Sequence, residues 1–84
     1  MKTYVAEKTD VSVTLGLKDV DMAIIQPLMD ALYNSEEVLL VRYEEQHPEL
    51  EDAQLYVKVK KGDALKAIKD AADRLSKYFA EIVS

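Results

Sequence analysis

The chain has 84 residues, a formal net charge of −5 at pH 7, 49% hydrophobic residues and no cysteine. This length fits a single domain, which we expect to span residues 1–84. The missing cysteines exclude a disulfide framework and a thiolate metal site, and the negative charge disfavours direct binding to nucleic acid. No apolar run approaches the roughly 18 residues of a membrane span, and the first eight residues lack a signal-peptide pattern. We therefore expect a cytoplasmic protein that does not contact a membrane.

Acidic residues are concentrated in one part of the chain. Between Asp19 and Asp52 there are ten acidic residues and one basic residue, Arg42, whereas residues 53–84 carry seven basic and four acidic residues. A solvated acidic face is the simpler interpretation of this asymmetry. The alternative is an acidic surface that steers a basic protein partner.

The first part of the chain predicts a β-hairpin followed by a helix. Residues 3–7 form a weak strand pattern, and apolar residues alternate with polar ones from Val11 to Leu17. Asp19 or Asp21 can cap a helix over residues 22–33, which Asn34 ends. Pro27 either lies in the first turn of this helix or bends it. The apolar positions of the helix share one face or its flank: Ile24, Ile25, Leu28, Met29 and Leu32.

The second part predicts two more strands and a long helix. Residues 38–43 form an apolar run that we expect to be a strand buried on both faces over its first part. Residues 55–59 alternate as a half-buried strand, and Asp63 is the expected N-cap of a helix over residues 64–83. The apolar stripe of that helix contains Leu65, Ile68, Leu75, Phe79 and Ile82. The predicted fold is α+β in the order β-β-α-β-β-α, a mostly antiparallel four-stranded sheet with two helices on one face.

The only histidine, His47, is the one residue that invites a catalytic interpretation. No cysteine is available for it to activate, and no serine lies in a nucleophile elbow. A hydrolase that pairs His47 with Glu45 or Glu49 is therefore a minor alternative. Pro48 restricts His47 to an extended conformation and ends the preceding strand, so a structural corner is the favoured role. We predict no catalytic residue, no metal site and no cofactor.

Two motifs resemble those of the small alpha-like assembly subunits of multisubunit RNA polymerases, most closely those of the archaeal subunit L type. Residues 21–28, Asp-Met-Ala-Ile-Ile-Gln-Pro-Leu, are similar to the family's Asp-His-Thr-Leu-Ala-Asn-Pro-Leu. Residues 43–48 fit its Tyr-x-x-x-His-Pro. The matched motif positions are Asp21, Gln26, Pro27, Leu28, Tyr43, His47 and Pro48. Met22 and Ala23 replace His-Thr, and Gln26 replaces Asn, so the polar contacts of those family residues do not carry over.

The resemblance implies one alpha-like dimerisation domain without a catalytic centre of its own. In this family the subunit pairs with a larger alpha-like subunit, called D in archaea, and the pair is the platform on which the large catalytic subunits assemble. Pairing uses the first and last helices of each partner, which assigns an interface here to Ile24, Ile25, Leu28, Met29, Leu32, Leu65, Ile68, Leu75, Phe79 and Ile82. The isolated chain is then expected to form a homodimer. The remaining alternative is a freestanding α+β module that binds a protein or senses a small ligand.

Overall fold

The computed structural model describes residues 2–45 and 52–83, with side chains through residue 76. Its elements are β1 (Lys2–Lys8), β2 (Ser12–Lys18), α1 (Met22–Tyr33), β3 (Val38–Glu44), β4 (Ala53–Val59) and α2 (Ala64–Val83). This is the predicted order. The strands form one sheet in the order β1-β2-β4-β3, and every neighbouring pair is antiparallel. The predicted fold class is therefore confirmed.

The core lies between one face of the sheet and the two helices. Alternation in β2 and β4 places apolar side chains opposite one another across the strands, as in the pair Leu15 and Leu55. Helix α1 packs over β3 and against α2, while α2 packs over β4 and β2. The residues that this arrangement buries form a single cluster: Val13, Leu15, Leu17, Ile25, Leu28, Leu32, Val41, Ala53, Leu55, Val57, Val59, Ala64, Ile68 and Ala71.

The prediction that the first part of β3 is buried on both faces is wrong. Leu39 and Leu40 are 55% and 44% exposed, and Val41 is the buried position of this strand. The physical reason is the strand order, because β4 lies between β2 and β3 and leaves β3 at an edge of the sheet. The pairing of β3 with β4 is also irregular here, with a register shift between Val38 and Leu40. Such irregularities at an edge strand discourage pairing with another chain.

Both helices begin at the aspartates that the sequence indicated. The Asp21 Oδ1 atom accepts a hydrogen bond of 2.9 Å from the backbone N–H of Ala23, and the Asp63 Oδ1 atom accepts one of 2.9 Å from Leu65. Asp19, the other candidate cap of α1, instead adopts a left-handed backbone conformation with φ of 53°. Pro27 is the sixth residue of α1, so it lies beyond the first turn and inside the helix.

On the outer face of the sheet, the ring of Tyr4 covers Gly16. A Cβ atom on Gly16 would overlap the ring carbon Cζ of Tyr4. The Tyr4 hydroxyl donates a 2.5 Å hydrogen bond to the Asp52 carboxylate, and this bond raises the pKa of the phenol. Glycine is therefore required at position 16 for as long as the tyrosine ring occupies this place.

We expect the effects of Gly16→Ala and Tyr4→Ala on stability to be strongly non-additive. In the wild-type background the added methyl group displaces the Tyr4 ring and should cost roughly 1 kcal/mol of unfolding free energy. In the Tyr4→Ala background the three atoms nearest to the added methyl group are gone, and its cost should vanish because alanine suits a strand better than glycine. Urea unfolding of the four proteins measures this coupling. Additive effects would contradict the close contact between residues 4 and 16.

Candidate dimerisation surface

The apolar stripe of α1 is occupied mainly by the core of the chain itself. Ile25, Leu28 and Leu32 are 1%, 8% and 0% exposed. Ile68 of α2 is likewise buried. These predicted interface residues therefore stabilise the domain from inside and offer little surface to a partner.

The predicted interface residues with free surface lie at other positions of the helix layer. Ile24 is 49% exposed, and Leu65 and Leu75 are half-buried against the core. Among the residues of α2 whose side chains the structure describes, 64–76, the buried ones are Ala64, Ile68 and Ala71. Phe79 and Ile82 follow in the second part of this helix, and their side chains lie outside the described part of the structure.

Helix α1 has two different flanks beside its buried stripe. At 3.6 residues per turn, Met22, Met29 and Tyr33 fall on one flank, whereas Ile24 and Ala31 fall on the other. The Tyr33 hydroxyl donates a 3.1 Å hydrogen bond to the Val41 carbonyl oxygen, which places the first flank beside β3. Ile24 and Ala31 consequently lie on the side of α2. Met29 was assigned to the same interface as Ile24, but it lies on the β3 flank.

The motif residues that the structure describes have mostly structural roles. Asp21 caps α1, Leu28 enters the core, and Pro27 is half-buried within the helix. Gln26 is exposed on the β3 flank. Tyr43 is half-buried and donates a 2.7 Å hydrogen bond to the Glu45 carboxylate. His47 and Pro48 lie outside the described residues, as does Glu49.

The phenol of Tyr43 is unsuited to acid–base chemistry at neutral pH. Burial, followed by the hydrogen bond to Glu45, raises the pKa of Tyr43 to about 12. Its hydroxyl therefore remains protonated and donates to Glu45 throughout the physiological range. Glu45, the proposed carboxylate partner of a catalytic histidine, is engaged in this contact.

The raised pKa of Tyr43 predicts an alkaline limit to stability. A group whose pKa is higher in the folded state than in the unfolded state stabilises the fold. This stabilisation is fully present below the unfolded-state pKa of about 10, and it is lost as the pH rises toward the folded-state pKa of about 12. We expect the melting temperature to fall between these values and to fall less steeply in Tyr43→Phe. Thermal scans from pH 8 to 12 measure this, with Tyr56→Phe as the control. Equal slopes in both variants would show that Tyr43 does not carry the effect.

The described residues contain no group of three or more histidine, aspartate or glutamate side chains that could hold a metal ion. In the same part of the chain, no helix is long and apolar enough to cross a membrane.

Sequence reasoning missed a set of exposed apolar residues. Met22, Tyr33, Leu39 and Leu40 are each at least 39% exposed. The available signal was the spacing of Met22, Met29 and Tyr33, which widens the apolar face of α1 beyond what one sheet contact requires.

An antiparallel sheet with two helices on one face, and with apolar residues left exposed on α1, defines a small α+β domain suited to pairing. The chain belongs to the RNA polymerase Rpb3/Rpb11 dimerisation domain family, whose model matches residues 12–84. The resemblance seen in the two sequence motifs is thereby confirmed.

Relatives in archaea support this membership. The chain is 31% identical to the DNA-directed RNA polymerase subunit Rpo11 of Thermoplasma acidophilum over 78 residues, which cover 93% of this chain and 70% of the relative. It is 28% identical to Rpo11 of Picrophilus torridus over 72 residues, covering 86% and 72% of the two chains. The crystal structure of DNA-directed RNA polymerase subunit L from Thermoplasma acidophilum superposes with a TM-score of 0.86 at 30% identity, covering 96% of this chain and 80% of that one. These similarities support a polymerase subunit role.

Proposed function

We propose that this chain is a non-catalytic subunit of a DNA-dependent RNA polymerase that pairs with a larger alpha-like subunit of the D type. The pair forms the platform on which the large catalytic subunits assemble, and it acts in the cytoplasm. The observation that carries the proposal is a pairing-domain fold whose helix layer keeps Ile24 half exposed next to α2. The second half of α2 extends the same layer with Leu75, Phe79 and Ile82 at helical spacing.

The proposed interface combines the Ile24 flank of α1 with the second half of α2. Obligate protein–protein interfaces bury more than about 2,000 Å² of surface in total. One flank of a helix cannot supply this area alone. Helix α2 provides the additional area, because its 20 residues extend for about 30 Å. Buried residues beneath this surface pack the two helices against the sheet: Ile25, Leu28, Leu32 and Ile68.

Co-expression with a D-type subunit from the same organism tests the proposal. We expect the two chains to co-purify as a one-to-one complex that remains together in gel filtration. If the D-type subunit instead pairs with a different small subunit and leaves this chain unbound, the proposal fails. The freestanding-module alternative would then be the better interpretation.

We expect the isolated chain to form a two-fold dimer through the same helices. An exposed apolar helix surface is unfavourable in water, and a second copy offers a self-complementary cover. Multi-angle light scattering over a concentration series measures the mass. A monodisperse monomer of 9.5 kDa at high concentration would contradict this expectation.

A further inference from the structure

An apolar concavity lies on the flank of α1 that faces β3, away from the proposed pairing surface. This concavity of about 390 Å³, here named the Met22 groove, is lined by Met22, Gln26, Met29, Asp30, Tyr33 and Tyr43. Met22 is 39% and Tyr33 60% exposed, so the groove displays large apolar side chains to solvent. Exposed apolar surface that is grouped in a concave site marks an interaction surface more often than scattered residues do.

The aromatic walls of the Met22 groove are held in place by hydrogen bonds within the chain. The Tyr33 hydroxyl donates to the Val41 carbonyl at 3.1 Å, and the Tyr43 hydroxyl donates to Glu45 at 2.7 Å. Because both phenol donors are already engaged, the rings offer mainly apolar surface to an occupant. Methionine side chains adapt to irregular shapes, so Met22 and Met29 can close around an inserted apolar group.

The surroundings of the Met22 groove are acidic. Asp30 lines the groove and Asp21 precedes Met22 in the chain. An adjoining concavity of about 560 Å³ shares Met22, and its acidic lining residues are Asp19, Glu45 and Asp52. Among the described lining residues of both concavities, the single basic side chain is Lys18, whose amine lies 5.8 Å from the centre of the Tyr4 ring. An apolar site with this rim is complementary to an apolar group flanked by basic residues.

We propose that the Met22 groove docks a basic polypeptide segment of another polymerase subunit, which inserts an apolar side chain between Met22 and Tyr33. This inference rests on the proposed function, and the occupant is distinct from the D-type partner because the groove lies on the opposite flank of α1 from Ile24. A nucleic acid is disfavoured because its phosphates would meet the acidic rim.

The size of the Met22 groove indicates that it is an anchor within a larger contact. A biological interface normally buries at least about 1,000 Å², which exceeds what this concavity can provide. Binding should therefore be observed in the assembled complex rather than with an isolated peptide.

Photo-crosslinking in the reconstituted polymerase tests the inference. Because the chain has no cysteine, Gln26→Cys introduces a unique thiol that can carry a benzophenone group at the groove while Met22 remains intact. The labelled chain is assembled with the D-type subunit and the large subunits of the same organism, irradiated, and analysed by mass spectrometry. We expect a crosslink to one segment of net positive charge outside the D-type subunit.

Two charge-reversal variants test whether the acidic rim of the groove contributes to docking. Asp30→Lys reverses a charge at the groove and should lower the crosslink yield by about tenfold. Asp70→Lys makes the same change at an exposed site on α2 and should leave the yield unchanged. If the chain does not assemble with the D-type subunit, the proposed function fails and this inference fails with it. If it assembles normally but crosslinks to an acidic segment, to DNA, to the D-type subunit or to nothing, only the Met22 groove proposal is overturned.

Discussion

Ile24→Glu should leave the chain folded but abolish its pairing with a D-type subunit. Ile24 is 49% exposed, so the isolated fold tolerates a charged side chain that remains in water. In the complex the same carboxylate would be buried without a partner, which costs several kcal/mol and weakens binding by at least about a hundredfold. Co-purification and isothermal titration measure the loss of pairing, and circular dichroism verifies the fold.

Met22→Glu is the matched control for this experiment. It introduces the same charge on the same helix at a residue of similar exposure, 39%, but on the flank that faces β3. We expect Met22→Glu to retain pairing with the D-type subunit. Leu28→Glu is a poor test of pairing, because Leu28 is 8% exposed and its replacement would unfold the domain. Normal pairing by Ile24→Glu would place the interface elsewhere on the chain.

Leu55→Ala should cost about 2–5 kcal/mol of unfolding free energy. Leu55 is 0% exposed at the centre of β4, where Leu15 and Tyr43 lie opposite it on the two neighbouring strands. A domain of this kind has a total stability of about 5–15 kcal/mol, so this one substitution removes a large part of it. Urea unfolding measures the loss as a shift of the midpoint.

Leu40→Ala provides the comparison for Leu55→Ala. The chemical change is identical, but Leu40 is 44% exposed on the edge strand β3. Exposed substitutions of this kind usually alter stability by about 0.5 kcal/mol or less. Equal costs for the two variants would contradict the assignment of β4 to the centre of the sheet and of β3 to its edge.

The local features of the fold could be predicted because their causes are local. The alternation in β2 and β4 follows from the two-residue period of a strand, and it correctly identified Leu15, Leu55 and Val57 as core residues. The helix caps Asp21 and Asp63 bond to backbone groups only two residues away, so a short sequence window contains the whole interaction. The order of elements and the family motif were evident for the same reason.

The misassigned features depend on contacts between distant parts of the chain. The apolar run of β3 is the same sequence pattern whether the strand is central or at an edge, and the insertion of β4 beside β2 decides between these positions. The family resemblance placed Ile24 and Leu28 in one expected interface, and the structure shows that they differ in burial, since packing against the sheet buries Leu28 and leaves Ile24 exposed. The Met22 groove likewise depends on Tyr43 of β3 lying beside α1.

The strands, the helices, the cap of α2 and the family could be read from the sequence alone, since each depends on periodicity, on neighbouring residues or on a short motif, whereas the choice of Asp21 over Asp19 as the cap of α1 came from the structure. Which apolar residues are covered by the chain and which remain available to a partner became evident from the packing of the elements. The physical reason is that burial is a property of the packed arrangement, because the same leucine is part of the core or of an interface according to which element lies over it.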